Sequence, residues 1–238
     1  MTTVRRALLA VRSSPVTCTY VLVLLLTSII RRIIDPKTAV ALLHASSTDV
    51  VHLEHDPVQS MLAAAMLVAG APWLPWAIVI LACVAPLERA LGAGRTAVIF
   101  VSGHVLATLL TEVPIALSIA VGWLPHSAAY RLDFGVSYGV ATCTVALAGI
   151  ARGRARVAIL AVTGVALVTS IVVDPDMTEA GHGVACLLGF GWWWWLSSRQ
   201  LLGRRTASQL WLSSHHRRPE EPPENHQLTF PSGAGTIT

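Results

Sequence analysis

Asp133-Phe134-Gly135-Val136-Ser137-Tyr138-Gly139 opens an apolar run that continues without a charge to Ala151. A bilayer's hydrocarbon core takes about 20 apolar residues per helix, so residues 134–151 read as a membrane span. Five other stretches read the same way: 16–34, 60–86, 97–122, 157–173 and 180–198. The second is long and holds Pro72 and Pro75, which break helical hydrogen bonding. It is expected to begin as an interfacial or re-entrant segment ahead of the true span. The first ends in Arg31-Arg32 and lacks a small-residue cleavage site, so it is not read as a cleaved leader. Composition agrees: 54% of the 238 residues are hydrophobic and 13% charged, against about 25% charged in soluble domains. The expected fold is an all-α, six-helix polytopic membrane bundle, with lipid as its main solvent. Three segments follow: a cytoplasmic N-terminal stretch 1–15, a membrane domain 16–198 and a disordered cytoplasmic tail 199–238. The tail is too polar to bury a core.

Orientation follows from the arginines. With the N-terminus in the cytoplasm, Arg5, Arg6, Arg12, Arg89, Arg95, Arg152, Arg154, Arg156, Arg199, Arg204, Arg205, Arg217 and Arg218 all fall inside. Only Arg31, Arg32, Lys37 and Arg131 fall outside, where most acidic residues gather. Six spans return the C-terminus to the cytoplasm. The net charge of +4 is thus a topology signal, and no nucleic-acid partner is expected. Trp192-Trp193-Trp194-Trp195 falls at the inner interface, where an apolar ring with a polar N–H is favoured. One lysine among 17 basic residues suggests a GC-rich bacterial genome, and with it a plasma-membrane location.

Polar residues inside spans are costly and mark function. Ser137 lies four residues past Asp133 and His182 three past Glu179, in two spans that both run inward. At 1.5 Å per residue each sits about 5–6 Å below the outer boundary. A hydroxyl and an imidazole at one depth can act as nucleophile and base on a carbonyl. Gly135 and Gly139 in one span, with Ala185 and Gly189 in the other, follow the small-xxx-small pattern that lets helices approach closely. Gly-x-Ser-x-Gly also occurs at the nucleophile elbow of soluble hydrolases, but that elbow requires a strand–turn–helix context, which this chain lacks.

The remaining polar residues have plainer readings. His104 lies deeper than Ser137 and either lines a cavity or, the favoured reading, satisfies a buried polar contact. Asp174 and Asp176 either orient His182 or bound the loop before it. His44, His52 and His55 read as solvated loop residues without metal-ligand spacing. Cys18, Cys83, Cys143 and Cys186 read as small core residues. A proton-transporting role for His104 and His182 lacks the inverted repeat or paired broken helices such proteins carry.

Three ordered motifs resemble the rhomboid family of intramembrane serine proteases, in a divergent, actinobacterial-type form. Leu87-Glu88-Arg89-Ala90-Leu91-Gly92 is similar to the family's Leu-Glu-x-x-Leu-Gly. Gly135-Val136-Ser137 is similar to its Gly-x-Ser. His182 with Ala185 and Gly189 is similar to its His-x-x-Gly-x-x-x-Gly, with Ala185 in place of the first glycine. The resemblance spans roughly residues 16–198. It implies a six-helix bundle with a water-filled cavity open to the outside, a Ser137–His182 catalytic dyad, transmembrane proteins as substrates, and no metal or organic cofactor. The departures bear on activity. Pro72 and Trp76 stand where the family carries a His and an Asn that stabilise the oxyanion. The family's first-loop Trp-Arg pair is not evident around Val58-Gln59. Tyr138 replaces the glycine after the serine, and Ala141 the aromatic that packs on the histidine. The alternative they raise is a catalytically inactive relative that binds membrane helices.

Overall fold

The computed structural model describes residues 12–68, 73–134, 136–173 and 175–215, with side chains up to Ser198. Among these residues the regular elements are helical: α1 Pro15–Ile33, α2 Pro36–Ala45, α3 Val50–His55, α4 Pro57–Met66, α5 Trp73–Leu91, α6 Ala93–Ala120, a 3₁₀ turn His126–Tyr130, α7 Val136–Ile150, α8 Gly153–Val173 and α9 Met177–His215. By length and composition α1, α5, α6 and α8 are each able to cross a membrane, and α7 is a shorter apolar helix of 15 residues. The expected tail, 199–238, lies wholly outside the residues whose side chains are described.

Residues 60–86 divide, in line with the segment expected ahead of the true span: α4 ends at Met66 and α5 begins at Trp73. Pro75 sits in the first turn of α5, where its missing N–H costs nothing. One expectation needs correcting: the segment 35–56 is not a loop. Asp35 caps α2 by accepting from the backbone N–H groups of Lys37 and Thr38, and Asp49 caps α3 by accepting from that of His52. Each aspartate satisfies donors that a helix start leaves orphaned. His44, His52 and His55 therefore stand on helices, with His52 Nδ1 2.8 Å from Asp49 Oδ1.

The Leu-Glu-x-x-Leu-Gly segment makes the first long-range tie. Glu88, on α5 and 2% exposed, accepts from the backbone N–H of Val16 at 2.9 Å, from that of Thr17 at 2.8 Å and from the Thr17 hydroxyl at 2.6 Å. One carboxylate thereby caps the start of α1 from 72 residues away. Leu87 is fully buried beside it. Gly92 alone links α5 to α6, at a φ of +85° that a residue with a Cβ adopts only under strain.

α7 is the centre of the bundle. Val136, Val140, Cys143 and Ala146 join Leu24, Ile80, Val84, Leu87 and Ile99 in one apolar cluster. α8 is the opposite case: strongly apolar, yet none of its residues is buried. An apolar helix with no buried face needs lipid around it.

α4 is held by polar ties. Tyr20 and Thr27 donate from α1 to the carbonyls of Ala65 and Met66 at 2.6 and 2.8 Å, and Arg31 donates to that of Val68. His104 Nε2 on α6 lies 2.9 Å from the Met61 carbonyl oxygen. The buried polar contact expected of His104 is thus present. The tryptophan run divides. Trp192 donates to Ser102 Oγ at 2.9 Å, and Trp193 packs against Gly149 beneath the Arg156 guanidinium. Trp194 stays 74% exposed.

Candidate active site

The residues ahead of Ser137 are tied down before the helix starts. Asp133 is 1% exposed. Its N–H donates to Ser47 Oγ at 3.0 Å, and its carbonyl accepts from the Thr48 N–H at 3.0 Å. Its carboxylate accepts from the Tyr138 hydroxyl at 3.0 Å and from Thr48 Oγ1 at 3.4 Å. The segment between α2 and α3 therefore anchors the entry to α7. Burial pushes the Asp133 carboxyl above the usual aspartate range, with Arg131 and the Tyr138 hydrogen bond opposing the shift.

α7 and α9 run parallel. Tyr138 lies against Gly181, the Thr142 hydroxyl donates to the Ala185 carbonyl at 2.9 Å, Val145 lies against Gly189, and Gly149 lies against Trp193. Numbers rise together along both helices. α6 runs the other way: Ser102 meets Trp192, whereas Glu112 reaches Thr178 through Arg131. A Cβ on Gly189 would stand 2.6 Å from Val145 Cβ and 2.8 Å from the Thr142 carbonyl oxygen. The close approach of α7 and α9 thus uses Gly181, Ala185 and Gly189. Gly139 serves a different contact, since a Cβ there would meet the Phe100 ring on α6 at 2.7 Å. Gly135 lies outside the described residues.

This register brings Ser137 and His182 to one end of the bundle, within about 3 Å of each other along its axis. They are not hydrogen-bonded to each other. Ser137 Oγ, on a half-buried residue, donates to the Phe134 carbonyl at 3.5 Å, a weak local contact. Ser137 is the second residue of α7, so its backbone N–H belongs to the first turn and has no intrahelical acceptor. The His182 ring stands edge-to-face on Tyr138 with centroids 5.2 Å apart, and its Nδ1 lies 3.1 Å from Glu179 Oε2. Tyr138, fully buried, fills the space between the two helices beside the pair.

Several neighbours were not singled out from sequence. Glu179 read as the boundary of a span, although a Glu three residues before a His on a helix is a recognisable pairing signal. Asp176 caps α9, accepting from the N–H groups of Thr178 and Glu179. Asp174 lies outside the described residues. Arg131 joins Glu112 on α6 to Thr178 on α9, each contact 2.5 Å. Of the two positions where the family carries oxyanion donors, Trp76 packs on the main apolar cluster, and Pro72 lies outside the described residues. Among the described residues no His, Cys, Asp and Glu side chains gather into a metal-binding group.

No curated protein matches the chain, and neither does any solved structure. A sequence model of the rhomboid-like protein family matches residues 9–201. That match covers the bundle, the Glu88 cap, and the helices carrying Ser137 and His182, and the chain belongs to the rhomboid-like family of membrane proteins.

Proposed function

We propose that this protein is an intramembrane serine protease of a bacterial plasma membrane, spanning it six times with both termini in the cytoplasm. Ser137 is the nucleophile and His182 its base. The observation that carries the reading is the pairing of parallel helices. Ser137 and His182 share one level of the bundle, and His182 already has Nδ1 on a carboxylate, which leaves Nε2 for the serine. In the reaction Ser137 Oγ bonds to the substrate carbonyl carbon as its proton passes to Nε2. The imidazolium then gives that proton to the leaving amine as the C–N bond breaks. The backbone N–H of Ser137, in the first turn of α7, is a donor for the developing oxyanion. The substrates are transmembrane proteins cut near their outer ends. The serine and the histidine must close up on substrate, as loosely placed catalytic pairs commonly do.

A specific observation favours a second reading. Tyr138 wedges the helices beside the pair, and Ser137 Oγ spends its hydrogen bond on Phe134. A protein fixed in that arrangement would bind membrane helices without cutting them. A fluorophosphonate probe separates the two. Wild type in lipid should be labelled, and Ser137→Ala and His182→Ala should not. If folded wild type resists the probe and a panel of single-span substrates survives intact, the protease reading fails. Co-purifying substrate helices that persist in Ser137→Ala would then support the binder.

A further inference from the structure

We propose that Glu179 is a positioning residue that holds His182 as its Nδ1–H tautomer. Its catalytic consequence rests on the protease reading above, whereas the tautomer itself does not. Glu179 Oε2 lies 3.1 Å from His182 Nδ1, one helical turn apart on α9. The same oxygen accepts from the Ser170 hydroxyl on α8, so the carboxylate is fixed from a second helix. Tyr138 holds the imidazole from another side, edge-to-face at 72°. The ring is thus constrained by three helices.

A carboxylate oxygen only accepts hydrogen bonds. The imidazole must therefore present N–H at Nδ1, and the lone pair of the neutral ring falls on Nε2. That is the form a general base requires. Asp133, the other carboxylate nearby, already accepts from Tyr138 and Thr48. When Nε2 takes the serine proton, the Nδ1–H bond to Glu179 persists, so Glu179 orients the ring and takes up no proton. Residues Ser137, His182 and Glu179 then form an acid–histidine–serine set in which the acid sits one turn before the histidine.

The tautomer is read by ¹⁵N NMR of histidine-labelled protein in detergent, with His182→Asn assigning the resonance. Spectra are taken at alkaline pH, raised until the ring resonances stop moving, so that the ring is neutral. Wild type should carry the proton on Nδ1. Glu179→Ala should move most of the population to Nε2–H, and Glu179→Asp should restore the Nδ1 form in good part. Ser170→Ala, which leaves the carboxylate in place but unanchored, should give a mixture. Fluorophosphonate labelling of Ser137 should slow by about 10²–10⁴-fold in Glu179→Ala, the usual span of acid–base assistance. A wild-type proton on Nε2 overturns the proposal, as does an unshifted tautomer in Glu179→Ala. Should Glu179→Ala fail to fold, an unshifted tautomer in Ser170→Ala overturns it equally. An Nδ1 proton in wild type that the probe does not label supports the positioning role and counts against the protease reading alone.

Discussion

Asp133 is the residue on which the entry to α7 hangs, and it makes the site sensitive to pH. Its carboxyl is raised by burial, while an unfolded aspartate titrates near about 3.9. Between those two values the folded protein holds a proton that the unfolded chain has released. Stability from this group is therefore present below the unfolded value and is lost as pH rises through the folded one. Asp133→Asn should flatten that slope, because an amide oxygen still accepts from Tyr138. Thermal unfolding in detergent across a pH series checks it; an unchanged slope would assign the dependence to other groups. The shared level of Ser137 and His182 was legible in the sequence, since each lies a few residues past an acidic boundary and the helical rise does the rest. The burial of Tyr138 was not. It depends on a glycine at 181 on another helix and a hydroxyl acceptor five residues upstream, a coincidence that no local pattern announces.

Among the elements, α7 and α9 meet with little room to adjust. Gly189 faces the Thr142 carbonyl oxygen, a backbone atom that cannot swing away. Gly189→Ala should therefore destabilise by about 1–3 kcal/mol, the usual cost of overpacking. Gly164→Ala and Gly183→Ala, where an added methyl meets open space, should be near neutral. Chemical unfolding of the three variants in mixed micelles makes the comparison, and a Gly189→Ala protein as stable as the controls would refute the contact. Small-xxx-small spacing foretold Ala185 and Gly189 correctly because the spacing is itself a helix face. It assigned Gly139 to the wrong neighbour, since spacing alone does not say which helix lies opposite. Helices α2 and α3 went unread for another reason. Their signal is confined to the capping aspartates Asp35 and Asp49, and runs of ten and six residues are too short for periodicity to speak.

At the scale of the whole molecule, charge and packing divide the bundle into two ends. Arg156 donates to the Ala148, Gly149 and Ala151 carbonyls at the end where Trp193 packs. Asp133, Glu112, Arg131, Thr178 and Glu179 gather at the other. In the orientation proposed from the arginine bias, the first end faces the cytoplasm. A membrane-impermeant maleimide should therefore react from outside with Ser127→Cys and not with Ala155→Cys, both positions being exposed. The reverse result would invert the bundle and remove the outer-end reading of the site. The apolar reach of the spanning helices was legible because lipid imposes its thickness on sequence; among the described residues four helices are long and apolar enough to cross, with α7 a shorter fifth. The Glu88 cap of α1 was legible only as a motif, its purpose emerging once α1 and α5 lie side by side.

The parallel pairing of α7 with α9 has a consequence for synthesis. Two neighbouring helices that run the same way cannot be joined by a tight turn, so all of α8 must cross back before α9 enters. Until then Thr142 has no Ala185 carbonyl to donate to, and Tyr138 no Gly181 to settle against. A nascent chain released before residue 177 would hold Ser137 without its histidine. On the protease reading proposed above, this assembly order would leave the serine without its base until α9 docks.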